Sequence, residues 1–335
     1  MRGYRSKILN ETGKRSIVFK PAEGFRDLEV ELPCGKCIGC RATQANEWAL
    51  RIQHEARYHE KSCFITLTYS PEGLPDDESI CKDELTRFIK RLRNQVCYIN
   101  YRCNCKSKKG RSMHLKIDEI RYYAVGEYGK DKGRPHYHIA VFGWSPPDLE
   151  LLPIGDQGVF RAKNPLFRSR QLEKLWRQTD RSMPNYGKPL GFVSVGKLTP
   201  ESAGYVARYV TKKVGDPKDT YRMEKYGEDI EKVKEFALMS RNPGIGSKWF
   251  EEFHEDCGKD YLVYDGRKRP VPRYYREKMD DFNRKIAERT KRERKRIIDR
   301  LKEKGEMDVR RLDQKRDVME YNQKENLPRG YEEKK

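Results

Sequence analysis

Two histidines, His136 and His138, stand two residues apart in the run GRPHYHIAVFGW, which begins at Gly133, in a chain that has only six. On a β-strand, residues i and i+2 share a face, so the imidazoles would stand side by side, a spacing suited to holding a metal ion. A carboxylate, Glu127, closes the preceding apolar run EIRYYAVGE, and the glycine- and proline-rich stretch Tyr128–Pro135 separates the two. If these runs pair as a hairpin, Glu127 falls roughly opposite His136 and its side chain can join the same face. One carboxylate and two imidazoles, with coordination positions to spare, describe a catalytic divalent-metal site better than a closed structural one. Magnesium or manganese would suit a phosphodiester substrate; imidazole ligation leans to manganese and cellular abundance to magnesium. The plainer alternative makes one histidine a surface residue, the other a core hydrogen-bonder, and Glu127 a turn residue.

A second group lies in GYVARYVTKK, where Tyr205 and Tyr209 are four residues apart and Lys212 is three beyond. Such spacings put all three on one side of a helix. A tyrosine hydroxyl has a pKa of about 10, so attack on phosphorus needs a metal to polarise the phosphate and a cation such as Lys212 to steady the phenolate or position the strand. Tyrosine pairs at this spacing also serve commonly in packing or base stacking. A third group, PCGKCIGCR, sets Cys34, Cys37 and Cys40 in a C-x2-C-x2-C array. These thiols could hold a structural zinc if a fourth ligand joined them, with Cys63, His54, Cys103 and Cys105 as candidates; otherwise they are reduced cysteines in a turn.

The elements that must carry these groups can be traced from periodicity. Helical spacing of Ala45, Trp48, Ile52 and Ala56 predicts a helix over 41–59, and FITLTY, followed by the turn SPEG, predicts a strand at 64–69. Leu85, Phe88, Ile89 and Leu92 predict a helix over 82–95. The hairpin follows, then a helix over 169–177, a short strand in GFVSVG, and a helix capped by Thr199, begun by Pro200 and stopped by Gly215. The resulting order, βαββαβ, belongs to an α+β fold of ferredoxin or RNA-recognition type, an antiparallel sheet with helices on one face and the other face free for chemistry. We expect four regions: an N-terminal segment (1–60) with the cysteine array and a helix, a catalytic core (61–215), an accessory basic and aromatic region (216–272), and a charged tail (273–335), helical or disordered rather than core. Within the third region SRNPGIGSKWF could contact DNA or form a structural loop.

Lysine and arginine number 72 against 52 acids, a formal net charge of +20 that favours a polyanionic partner. Twenty tyrosines tip the choice to single-stranded nucleic acid, whose bases stack on rings while phosphates meet cations. No stretch approaches the roughly 20 apolar residues of a membrane span and the N-terminus lacks a signal-peptide core, so a cytoplasmic protein with reduced thiols is expected.

In combination these motifs are specific. FITLTY, RPHYHIAVFG and YVARYVTKK, in that order, resemble the three motifs of HUH-superfamily rolling-circle replication initiators, most closely those of gokushovirus-type microviruses, small icosahedral phages with single-stranded DNA. The resemblance implies that His136 and His138 ligate the metal with Glu127 as a third polar ligand. It implies that Tyr209, followed by Lys212, is the main nucleophile, and that Tyr205 is the second tyrosine of the two-tyrosine subgroup. Arg208 stands where relatives often have lysine, and Arg208, Lys213 and Arg134 are expected to meet DNA. The implied reaction is metal-dependent transesterification at the phage origin in the host bacterial cytoplasm, leaving a 5′-phosphotyrosine and a 3′-hydroxyl for a host polymerase. No G-x-x-x-x-G-K-[ST] phosphate loop is present, so a host helicase would unwind the strands. A relaxase or transposase of the same superfamily would share this chemistry. A non-catalytic module would instead use Phe64, Tyr137 and the tyrosine helix only to stack bases.

Overall fold

The structure is a computed structural model that describes the chain except residues 1, 12, 14, 105–119, 130–132, 154–163, 214–219, 226–227, 265 and 326–335. Strict alternation builds its central sheet. In β4 (Ser62–Thr68), Cys63, Ile65 and Leu67 point to one face and Phe64, Thr66 and Thr68 to the other. The hairpin of β5 (Arg121–Tyr128) and β6 (Pro135–Phe142) forms as the sequence predicts, with Glu127 opposite His136 in the register. Together with β9 (Val193–Lys197) these strands run in the order β5-β6-β4-β9, every pair antiparallel. Helix α2 (Lys82–Asn104) follows β4 and the short α3 (Arg170–Leu175) precedes β9, completing the βαββαβ core. Strand β12 (Phe236–Met239) extends the sheet beyond β5, and β8 (Phe167–Ser169) and β7 (Leu149–Leu151) extend it beyond β9 to seven strands.

One face of the sheet buries Ile65, Leu67, Tyr137, Ile139 and Val195 against Leu85, Phe88 and Leu92 of α2 and against Leu172 and Trp176. The second face is not left open, which corrects the sequence expectation. Helices α1 (Ile38–Ala56) and α4 (Pro200–Lys213) lie across it, and Ile52, Ala203, Tyr205 and Val206 pack on Phe64, Tyr123, Val125, Ala140 and Phe142. Those sheet residues are too apolar to leave in water. The end bearing Thr66, Thr68, Glu127, His136 and His138 is the polar remainder of that face. The helix boundaries differ by a few residues: α1 begins three residues early because Cys37 takes the N-cap position, and α2 runs on to Asn104 because no breaker follows Gln95.

A third buried cluster lies on the far side of α1. Leu50 meets Trp249 and Phe250 of α5 (Ser247–Phe253), Tyr275 and Met279 of α6 (Arg273–Phe282) and Ala287 of α7 (Arg284–Glu303). Residues after Arg273 therefore contribute to a core, against the sequence expectation. Their apolar stripe is a single narrow row inside strongly charged helices, so it leaves little periodic signal. The last helix, α8 (Val309–Glu325), is mostly exposed, as expected for a charged arm. The SRNPGIGSKWF segment is a structural loop: Trp249 is buried, and Gly246, at φ +80°, gives its amide to Glu55. Ahead of α1, residues 2–31 form a three-stranded antiparallel sheet in the order β2-β1-β3, from β1 (Arg2–Leu9), β2 (Arg15–Val18) and β3 (Gly24–Glu31), which periodicity did not predict. No helix among the described residues is long and apolar enough to cross a membrane.

Candidate functional site

The histidine strand is locked from below. Tyr137, between the two histidines in sequence, points to the opposite face, is fully buried, bonds Tyr69 Oη at 2.8 Å, and accepts the Cys81 amide at 2.6 Å. With the backbone fixed, His136 and His138 stand on one face with parallel rings, 6.4 Å between centroids and 6° between planes. On β4, Thr68 is opposite His136 and Thr66 opposite His138.

His138 is the buried member of the pair. Its Nε2 lies 2.8 Å from Glu127 Oε1, and Nδ1 lies 3.0 Å from Thr66 Oγ1. Glu127 thus reaches past the directly opposed His136 to the diagonal neighbour, a normal reach for a long side chain across a twisted pair. A carboxylate only accepts, so Nε2 carries the proton and Nδ1 accepts from the Thr66 hydroxyl. The threonine can also accept, so the imidazole can present Nε2 as a lone pair by moving its proton to Nδ1. His136 is half-buried and donates Nδ1–H to the Arg134 carbonyl at 2.7 Å, which makes Nε2 the lone-pair nitrogen. A carboxylate and two imidazoles on one face form a donor set that a hard or borderline divalent cation accepts. The donors are not drawn into a tight group: among the described residues, only Cys34, Cys37 and Cys40 bring all their ligand atoms within 4.8 Å of one another.

Helix α4 carries the tyrosines to this strand. Its start is fixed by a reciprocal cap, the Ser202 amide donating to Thr199 Oγ1 at 3.2 Å and the Thr199 amide donating to Ser202 Oγ at 2.7 Å. Val206 and Ala203 anchor the helix on the sheet. Tyr205 then meets His138 edge-on, 5.1 Å between centroids at 87°, and packs on Phe64. Tyr209 and Lys212 continue the same helix, Tyr209 about 6 Å further along its axis; the side chains of Tyr209, Lys212 and Lys213 lie outside the described residues. Arg208 is half-buried, and Arg134 donates to the Tyr69 carbonyl at 2.9 Å, tying the hairpin to the end of β4.

The base-stacking platform is not available. Phe64 and Tyr137 are 1% and 0% exposed and belong to the two cores, so neither ring can receive a base. Thr66 is the site residue that the sequence did not single out, although the alternation of FITLTY puts both its threonines on the histidine face.

At the head of α1 the three cysteines are free thiols, with Cys34 Sγ 3.9 Å from Cys40 Sγ. The backbone amides of Cys37 and Lys36 aim at Cys34 and lower its pKa to about 6, while burial raises that of Cys40. Two suggested fourth ligands are committed elsewhere. Cys63 is buried in the first core, where burial pushes its thiol up to about 12, and His54 Nδ1 is bonded to Tyr275 Oη at 2.9 Å. Cys105 and the side chain of Cys103 lie outside the described residues.

The family model for phage replication-associated protein ORF2 matches residues 62–214, the span from β4 to the end of α4. Over 275 residues the chain is 30% identical to replication-associated protein VP4 of Bdellovibrio phage phiMH2K, covering 80% of this chain and 73% of that one. Over 259 residues it is 33% identical to replication-associated protein ORF2 of Spiroplasma virus 4, covering 74% and 68%. Replication-associated protein ORF4 of Chlamydia phage 1 is 31% identical over 248 residues, 73% of this chain and 53% of that one. No solved structure matches significantly.

Proposed function

We propose, from the premise that this chain belongs to the replication-associated protein ORF2 family of phages, that it starts rolling-circle replication by nicking and rejoining single-stranded DNA at the phage origin. The observation that carries the proposal is the meeting of the tyrosine helix with the histidine strand, Tyr205 against His138 and His138 against Glu127. Stacking alone has no use for that arrangement.

In this scheme Tyr209 Oη attacks the scissile phosphorus, forming the O–P bond of a 5′-phosphotyrosine, while the P–O3′ bond breaks and the departing 3′ oxygen takes up a proton. Lys212, three residues on, steadies the phenolate or positions the strand. Energy of the phosphodiester is retained in the linkage, so a freed 3′-hydroxyl can later attack it and restore the chain. Tyr205 supplies a second nucleophile one helical turn away, for cleaving the regenerated origin after a full copy. Glu127, His136 and His138 would hold a divalent cation, magnesium or manganese, which neutralises charge at the phosphate. Arg208, Lys213 and Arg134 add cationic contacts to the strand. The 3′-hydroxyl primes a host polymerase, and a host helicase opens the duplex, in the bacterial cytoplasm.

Incubation of the purified chain with labelled single-stranded origin oligonucleotides tests this. A protein–DNA adduct that survives denaturing electrophoresis, forms with manganese or magnesium and is lost in chelator, is the expected result. Binding without adduct or cleavage, across segments that cover the genome, would overturn it.

A further inference from the structure

We infer that Cys34, Cys37 and Cys40 bind one zinc ion through three thiolates, with the fourth vertex supplied from outside this group, and that the ion serves as the N-terminal cap of α1. This site is separate from the hairpin and uses different chemistry. Tetrahedral zinc with bonds of about 2.3 Å holds its sulfurs about 3.8 Å apart. Cys34 Sγ and Cys40 Sγ are separated by 3.9 Å, and all three sulfurs lie within 4.8 Å of one another. A disulfide would need about 2.05 Å, and an iron–sulfur cluster would hold its thiolates further apart, around several metal atoms. The spacing fits a single ion.

The local backbone is shaped for the same purpose. Gly35 takes φ +72°, a left-handed conformation that turns the chain between the first two cysteines. The Cys37 amide then donates to Cys34 Sγ at 3.2 Å, a contact that favours thiolate over thiol.

Helix α1 supplies the second line of support. Its N-cap is Cys37, which makes no side-chain cap bond, and its first turn has no acidic residue. A helix of 19 residues that organises two cores is thus left without the usual complement to its positive end. Three thiolates around Zn2+ carry a net charge of −1, and place it at that end. The helix that lacks a cap has one once the ion is present.

The full-length chain purified without chelator is expected to carry one zinc per chain by elemental analysis, and to protect three thiols from a thiol reagent until a chelator or mercurial releases the metal. Cys34→Ser with Cys40→Ser should lose the zinc entirely, whereas Cys81→Ser, a half-buried thiol elsewhere, should keep it. Should the double variant fail to fold, Co2+ exchanged into the wild-type chain gives an independent reading, because thiolate-to-cobalt charge-transfer absorption arises only from sulfur ligation. Absence of zinc after reconstitution, iron in its place, or cobalt bound without that absorption would each overturn the inference. These measurements do not depend on nicking, so failure of the proposed replication chemistry would leave them untouched.

Discussion

His138 holds the centre of the site through two contacts of opposite sense, a carboxylate that accepts and a hydroxyl that can do either. The threonine is therefore a positioning residue whose value lies in letting the imidazole present Nε2 to a cation. Thr66→Val keeps the shape and removes the hydroxyl. The metal concentration for half-maximal nicking is expected to rise roughly 10- to 100-fold, with little change in the rate at saturating metal, and Thr66→Ser should restore it. An unchanged metal requirement would mean that Thr66 only packs. At this scale Glu127, His136 and His138 were legible in the sequence because a strand has a period of two and a glycine-rich turn fixes the register. The bond from Glu127 to the diagonal His138, and Thr66 as its counterpart, depend on side-chain reach and on which strand lies next to β6, and neither is written in local spacing.

Helix α4 depends on its first turn, where Thr199 and Ser202 satisfy each other's backbone amides. Thr199→Ala is expected to cost about 1 kcal/mol in urea unfolding, and to weaken adduct formation by loosening the tyrosines, while Thr199→Ser should be nearly silent; equal stability of the alanine variant would show that packing of Ala203 and Val206 fixes the helix unaided. The helix and its cap could be read directly from Thr-Pro-Glu and the apolar spacing that follows. The N-terminal sheet could not. RGYRSKIL and GFRDLEVE mix charges into both faces, and their strands are defined by pairing with one another rather than by a buried face. The second-face position of α1 was hidden for a related reason: an amphipathic pattern shows that a helix has a buried side, but not which surface receives it.

At the scale of the whole molecule, α1 is shared between the sheet and the C-terminal cluster, and His54 joins the two. It is buried, stacked 3.8 Å from Trp249, bonded to Tyr275, and its pKa is lowered from 6.5 to about 3, by burial first and by Arg57 second. Above pH 6.5 neither folded nor unfolded chain protonates this ring, and it imposes no penalty. As pH falls below that value the unfolded chain binds a proton that the folded one refuses, so stability is lost from pH 6.5 down toward 3. Between about pH 7.5 and about pH 5 the ring should cost about 2 kcal/mol, and a His54→Gln chain should show a shallower fall in urea titrations; parallel slopes would contradict the assignment. Nearby, Glu55 is pushed up by burial, yet bonds from His59, the Gly246 amide and Arg121 outweigh this and hold its carboxyl below the usual range. The sequence foresaw little of this cluster because Tyr275, Met279 and Ala287 are scattered among charges that a linear reading assigns to solvent.

The central claim is that a tyrosine of α4 becomes covalently joined to DNA, and trypsin separates the two candidates, since Arg208 lies between Tyr205 and Tyr209. Mass spectrometry of the adduct formed with manganese on an origin oligonucleotide is the most direct measurement. A nucleotide phosphate on the peptide that begins at Tyr209, with adducts abolished in the Tyr205→Phe, Tyr209→Phe double variant while DNA binding persists, is the expected result. An adduct mapped outside α4, or one that survives in the double variant, would contradict it.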